Sequence, residues 1–135
     1  MRVFLDTNVL ASALATRGLC ADLFESVLAE HDLLTSTAVL VELRRILASK
    51  FRLPADLVEA CIALIEVSAE PITGAVELTR LVVPDPDDAP ILAAALAVNA
   101  GCFVTGDKAL LDLGEVAGMP IQSPRQFWEK QRLGR

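Results

Sequence analysis

Short apolar runs and longer amphipathic stretches alternate along this chain, and polar residues punctuate them. Residues 2–5 form a run of strand length, closed by Asp6. Thr7-Asn8 suits a helix cap, residues 9–14 continue it, and Thr16-Arg17-Gly18 breaks it. Cys20, Leu23, Phe24, Val27 and Leu28 then recur at helical spacing. Residues 32–35 suit a short strand. Ser36 or Thr37 caps the next helix, whose apolar positions are Val39, Leu40, Leu43, Ile46 and Leu47. Pro54 fits a first helical turn, and Leu57, Cys61, Leu64 and Ile65 make the expected inward stripe of that helix.

Further on, residues 67–72 are a strand candidate, with Pro71 marking an edge or an end. A short helix is expected over 75–81, and residues 84–90 read as a stiff acidic loop. An Ala-rich helix over 91–99 should end at Gly101. A strand at 102–105, a short helix at 107–113, a strand at 119–122 and a helix at 124–130 complete the pattern. Strands alternating with helices predict an α/β sandwich around a mainly parallel sheet of five strands. The length of 135 residues fits one domain, 1–135.

Composition narrows the class. Apolar residues make up 53% of the chain, enough for a core and against wholesale disorder. Aromatics are 4%, so that core is aliphatic. No apolar run approaches the roughly 18 residues of a membrane span, and no signal-peptide pattern opens the chain. A cytoplasmic location, away from membranes, is the expectation. Cys20, Cys61 and Cys102 are odd in number, far apart and without a CxxC pair, which argues against zinc ribbons and disulfide frameworks. His31 is the sole histidine, at a polar helix-to-strand junction ill suited to a catalytic triad.

The candidate chemistry lies in four acids: Asp6, Glu42, Asp88 and Asp107. Asp6 and Asp107 closely follow the two best strands. Ligands of parallel sheets sit beyond the carboxyl ends of strands, where strand order reverses. If those two strands are neighbours there, the carboxylates converge. Gathered acids without cations repel one another, and burial would force some to take up protons. A divalent ion removes that conflict, and hard oxygen ligands favour Mg²⁺ or Mn²⁺. Hydrolysis of a phosphate ester follows as the expected reaction.

The net charge of −6 opposes a simple nucleic-acid coat protein, but the basic residues are unevenly placed. Eight of the twelve lie in two segments, 43–52 and 125–135. The first supplies Arg44, Arg45, Lys50 and Arg52 as candidate phosphate contacts just after Glu42. A solvated helix face is the plainer reading of each segment. Simple helix capping is likewise the plainer reading of Asp6, Asp88 and Asp107 taken singly.

The stretches Asp6-Thr7-Asn8-Val9-Leu10, Glu42 within its helix, Asp85-Pro86-Asp87-Asp88 leading to Ile91, and Val104-Thr105-Gly106-Asp107 occur in an order and spacing that resemble the PIN-domain family. Within it, the chain is most like the VapC-like toxins of prokaryotic toxin–antitoxin modules. The resemblance implies a three-layer α/β/α fold and an acidic cluster holding Mg²⁺ or Mn²⁺. It implies endoribonuclease activity on an RNA substrate, leaving 5′-phosphate and 3′-hydroxyl ends. It further implies a small antitoxin partner and a homodimer.

By that resemblance Asp6, Glu42, Asp88 and Asp107 are the catalytic and metal-binding acids. Asn8 and Thr105 support them by hydrogen bonds, and Asp85 or Asp87 stands as an alternative to Asp88. Two other readings compete. One is a catalytically inactive PIN-like module that binds RNA or protein. The other is a phosphatase with Asp6 as covalent nucleophile, which the Asn at position 8 disfavours.

Overall fold

The computed structural model describes residues 1–70 and 86–134. The elements run β1 (Arg2–Leu5), α1 (Thr7–Ala15), α2 (Leu19–Glu30), β2 (Asp32–Leu34), α3 (Thr37–Ser49) and α4 (Ala55–Ser68). A 3₁₀ turn (Pro86–Asp88) leads into α5 (Ala89–Ala97), followed by β3 (Cys102–Val104), α6 (Lys108–Leu111), β4 (Glu115–Val116), β5 (Met119–Gln122) and α7 (Pro124–Leu133). The expected helix over 75–81, and Pro71, Ile72, Pro84, Asp85 and Arg135, lie outside the described residues.

One five-stranded sheet has the order β2-β1-β3-β5-β4. All its pairings are parallel except β4 with β5. This is the mainly parallel α/β architecture that the alternating pattern predicts. β1 is fully buried at Val3, Phe4 and Leu5, and β3 at Cys102, Phe103 and Val104, as strands covered on both faces must be. Phe4 and Phe103 stack across the β1–β3 pair at 5.5 Å between ring centres. From β1 the chain first moves outward to β2, then returns past β1 to β3. Strand order therefore reverses between β1 and β3, and the register Leu5↔Val104 aligns their carboxyl ends.

Several boundaries differ from the sequence pattern, each for a physical reason. Asp6, not Thr7-Asn8, caps α1: its carboxylate accepts the Thr7 N–H. The buried stripe of α4 is Val58, Ile62 and Ile65, while Leu57 and Leu64 point outward, 46% and 42% exposed. This helix is apolar on both faces, so periodicity cannot tell which stripe faces the core. Residues 67–68 continue α4 rather than starting a strand, and Val67 is 81% exposed. Asn99 at φ 56° turns the chain after α5, the role expected of Gly101. The fifth strand is the two-residue β4, joined to β5 through Ala117 (φ 48°) and Gly118 (φ 83°). No helix among the described residues is long and apolar enough to cross a membrane.

Candidate functional site

The carboxyl ends of β1 and β3 bring together residues ninety-nine apart in sequence. The Asp6 N–H donates to the Val104 carbonyl at 2.9 Å, which extends the β1–β3 pairing to the acid itself. Asp6 Oδ1 accepts the Thr7 N–H at 2.8 Å, and Oδ2 accepts the Thr105 hydroxyl at 2.7 Å. Thr105 Oγ1 in turn accepts the Asp107 N–H at 3.0 Å. One fully buried threonine thus ties the two acids to each other. Each Asp6 oxygen keeps acceptor capacity beyond its one hydrogen bond.

Asp107 caps α6, its Oδ1 accepting the Ala109 N–H at 2.9 Å. Capping and site placement are therefore not alternatives here, for Asp6 as for Asp107. Glu42 projects from the middle of α3, half-buried between exposed Val41 and buried Leu43.

Electrostatics links these groups. Burial pushes the Asp6 carboxyl above its ordinary value, the Thr105 and Thr7 hydrogen bonds oppose that shift, and the Asp107 charge adds to it. Glu42 is also held high, first by burial, then by the charge of Asp6, with Arg45 opposing and Asp87 adding. Glu42 therefore responds to acids from two other elements, the β1 end and the 3₁₀ turn. Asp88 is half-buried at the start of α5, and its side chain does not cap that helix. The charge of exposed Asp87, beside it, bears on Glu42.

Asn8 is exposed on α1, and the hydrogen bonds described for Asp6 come from Thr7 and Thr105 instead. Two threonines escaped the sequence reading as site residues. The hydroxyls of Thr7 and Thr35, at the carboxyl ends of β1 and β2, are buried with no hydrogen-bond partner among the described residues. An orphaned buried hydroxyl is costly and calls for a water or ligand. A threonine directly after a strand-ending acid is the signal that could have singled out Thr7.

The basic candidates disperse. Arg44 forms a two-pronged pair with Glu59 of α4, at 2.7 and 3.0 Å. Lys50 lies over the Phe51 ring at 5.7 Å, and Arg52 is exposed at φ 54°. Arg45 alone of the four acts on Glu42. His31 sits at the opposite edge of the sheet, edge-on to Phe127 at 5.7 Å.

The donor set at the carboxyl edge is all oxygen and acidic, which fits a hard divalent cation. Among the described residues, no group of three or more His, Cys, Asp or Glu side chains is drawn together tightly enough to hold an ion. The conflict between the acids is thus present, while a closed ligand shell is not.

Comparison with known proteins agrees with this architecture. The family model described as "PIN domain" matches residues 2–109, and the chain belongs to that family. In fold it is similar to a chain in the crystal structure of VapBC2 from Rickettsia felis bound to a DNA fragment from their promoter. The TM-score is 0.65 at 17% identity, over 91% of this chain and 98% of that one. No curated protein matches in sequence.

Proposed function

We propose that this chain is a divalent-metal-dependent endoribonuclease, the toxin of a toxin–antitoxin pair. The observation that carries the reading is the Asp6–Thr105–Asp107 linkage at the point where strand order reverses, with Glu42 electrostatically coupled to it. Membership of the PIN-domain family supports it. Similarity to a chain of VapBC2 supports a toxin–antitoxin setting and a small antitoxin partner.

Asp6, Asp107 and Glu42, with Asp88 or Asp87 from the 3₁₀ turn, would hold Mg²⁺ or Mn²⁺. When bound, such an ion offsets the charge developing on a phosphodiester and lowers the pKa of a bound water. The chain's own part is to position and to poise. Thr105 fixes the orientation of Asp6, as residues behind a metal ligand do. Glu42, whose carboxyl is pushed up by burial and the Asp6 charge, would orient or deprotonate the attacking water. Arg45 stands beside Glu42 as the phosphate contact of the α3 segment.

Homodimerisation also belongs to this reading. Leu57, Leu64 and Val67 form an outward apolar stripe on α4 at spacings of seven and three, suited to receiving a helix. The same stripe could serve the antitoxin.

The test is cleavage of a mixed pool of structured and single-stranded RNA by purified protein, in Mg²⁺, Mn²⁺ and EDTA, beside Asp6→Asn. Cleavage that needs both metal and Asp6 is expected. A folded protein that cuts nothing with either metal returns the chain to the binding-module reading.

A further inference from the structure

Helix α7 begins where the candidate site ends. The Thr105 N–H donates to the Gln122 carbonyl at 2.9 Å, and Ser123 then caps α7 through a full capping box with Gln126. Arg125 therefore lies in the first turn at the carboxyl edge of the sheet, and the helix leads away from it. Arg125, Trp128 and Arg132 follow at spacings of three and four, on one face, spanning roughly 10 Å at helical rise. They line an open groove of about 460 Å³ together with Glu129 and Leu133. A second groove of about 450 Å³ flanks the helix and shares Glu129 and Leu133 with the first. It takes in Lys130 and reaches Gln122, whose carbonyl Thr105 holds.

The chemistry of this face departs from that of the rest of the chain. In a protein of net charge −6, α7 carries Arg125, Lys130 and Arg132 against Glu129. The one counter-charge is loosely engaged: Glu129 stands 3.8 Å from Arg125, and both are well exposed. A pair of that kind is screened by salt and yields readily to a phosphate. Trp128 is half-buried, anchored against the core on one side and open to the groove on the other. An aromatic plane between guanidinium groups is the arrangement that holds unpaired bases and their flanking phosphates.

We propose that Arg125, Trp128 and Arg132 form a single-stranded RNA subsite. Trp128 stacks on an unpaired base, the arginines hold the phosphates on either side, and the strand is led along α7 towards the acids at the β1–β3 edge. The choice of RNA rests on the nuclease reading above. Exposed Leu133 is the one feature of the face that suits a protein partner, and that becomes an outcome of the test.

Trp128 is the sole tryptophan of the chain, so its fluorescence reports on this face directly. The full chain carrying Asp6→Asn, to prevent cleavage, is titrated with an unstructured RNA oligonucleotide and with an RNA duplex. Fluorescence and anisotropy of end-labelled RNA are followed together. Single-stranded RNA should quench Trp128 as it binds, and duplex should not. Arg125→Ala with Arg132→Ala should lower the slope of log affinity against log salt by about 0.7 for each phosphate no longer neutralised. Trp128→Ala, followed by anisotropy, should weaken binding by roughly tenfold, the size of one missing base stack. If that variant does not fold, the arginine pair decides alone.

RNA that raises anisotropy without quenching Trp128, an unchanged salt slope in the arginine variant, or no RNA binding at all overturns the subsite. So does quenching by an antitoxin protein where RNA leaves the fluorescence unaltered. Cleavage by the wild type without quenching removes this inference and leaves the nuclease. Quenching without cleavage does the reverse.

Discussion

The two edges of the central sheet treat charge in opposite ways. At the amino edge, Arg2 pairs with Glu70 at 2.6 Å and donates two further hydrogen bonds to the Val98 carbonyl. At the carboxyl edge, none of the ion pairs among the described residues involves Asp6, Glu42 or Asp107. Asp6 is bonded to Thr7 and Thr105, Arg45 offsets the shift of Glu42 only in part, and burial holds both Asp6 and Glu42 above their ordinary values. The fold pairs half-exposed charge at one edge, and at the other leaves Asp6 and Glu42 without an ion pair among the described residues. Perturbed carboxyls of this kind mark functional sites.

The largest effect that would break this contrast is on catalysis. Asp6→Asn should lower metal-dependent RNA cleavage by about 10³-fold or more, as expected when several kcal/mol of charge stabilisation is removed. Activity within tenfold of wild type would take Asp6 out of the site. Next comes Thr105→Val, which keeps the shape and removes the hydroxyl joining Asp6 to Asp107. It should cost roughly 10–100-fold in activity or metal affinity, with Mg²⁺ titration of the rate as the readout.

Stability should invert with metal. Asp6 and Glu42 bind protons more tightly in the folded than in the unfolded chain. Their stabilising contribution is complete below about pH 4 and is lost as pH rises through the raised folded values. In EDTA, urea unfolding should show the stability of wild type relative to Asp6→Asn falling from about pH 4 upward, with Asp6→Asn the more stable at pH 7. Added Mg²⁺ should stabilise wild type and leave Asp6→Asn nearly unmoved. A wild type already more stable than Asp6→Asn without metal would mean the acids are not in conflict.

At the other edge, Arg2→Ala should destabilise by roughly 1–2 kcal/mol by removing its hydrogen bonds, with cleavage per folded molecule unchanged. A cleavage defect there would show that the two edges are coupled. The smallest effect is expected in the β4–β5 turn, at the amino edge and away from the acids. Ala117→Asn, at φ 48°, should relieve left-handed strain and stabilise by up to about 1 kcal/mol in thermal unfolding.

The sheet and the reversal point were legible because β1 and β3 are near-continuous apolar runs, each followed within three residues by an acid. Burial on both faces writes itself into sequence directly. The strand β4 was not legible, because two residues carry no alternation and Ala-Gly is an unusual turn pair. The facing of α4 failed for the opposite reason, since both of its faces are apolar. Around the site, sequence order could nominate acids but not rank Asp87 against Asp88, which are adjacent and differ in facing. Nor could it foresee that Arg44 turns to Glu59 while Arg45 attends Glu42.

The bond from Thr105 to Asp6 closes a loop of ninety-nine residues and so sets a clock. The first strand made is an interior one, with β2 on one side and the much later β3 on the other. At synthesis rates of about 5–20 residues per second, Asp6 waits roughly 5–20 s for its partner to be made. Any nascent or prematurely terminated chain lacking β3 has Asp6 but no buried threonine to orient it and no Asp107 beside it. Asp107 joins Asp6 late in synthesis, with β4, β5 and α7 still to follow. On the nuclease reading, this leaves the cell an interval in which the toxin exists as polypeptide but not as enzyme.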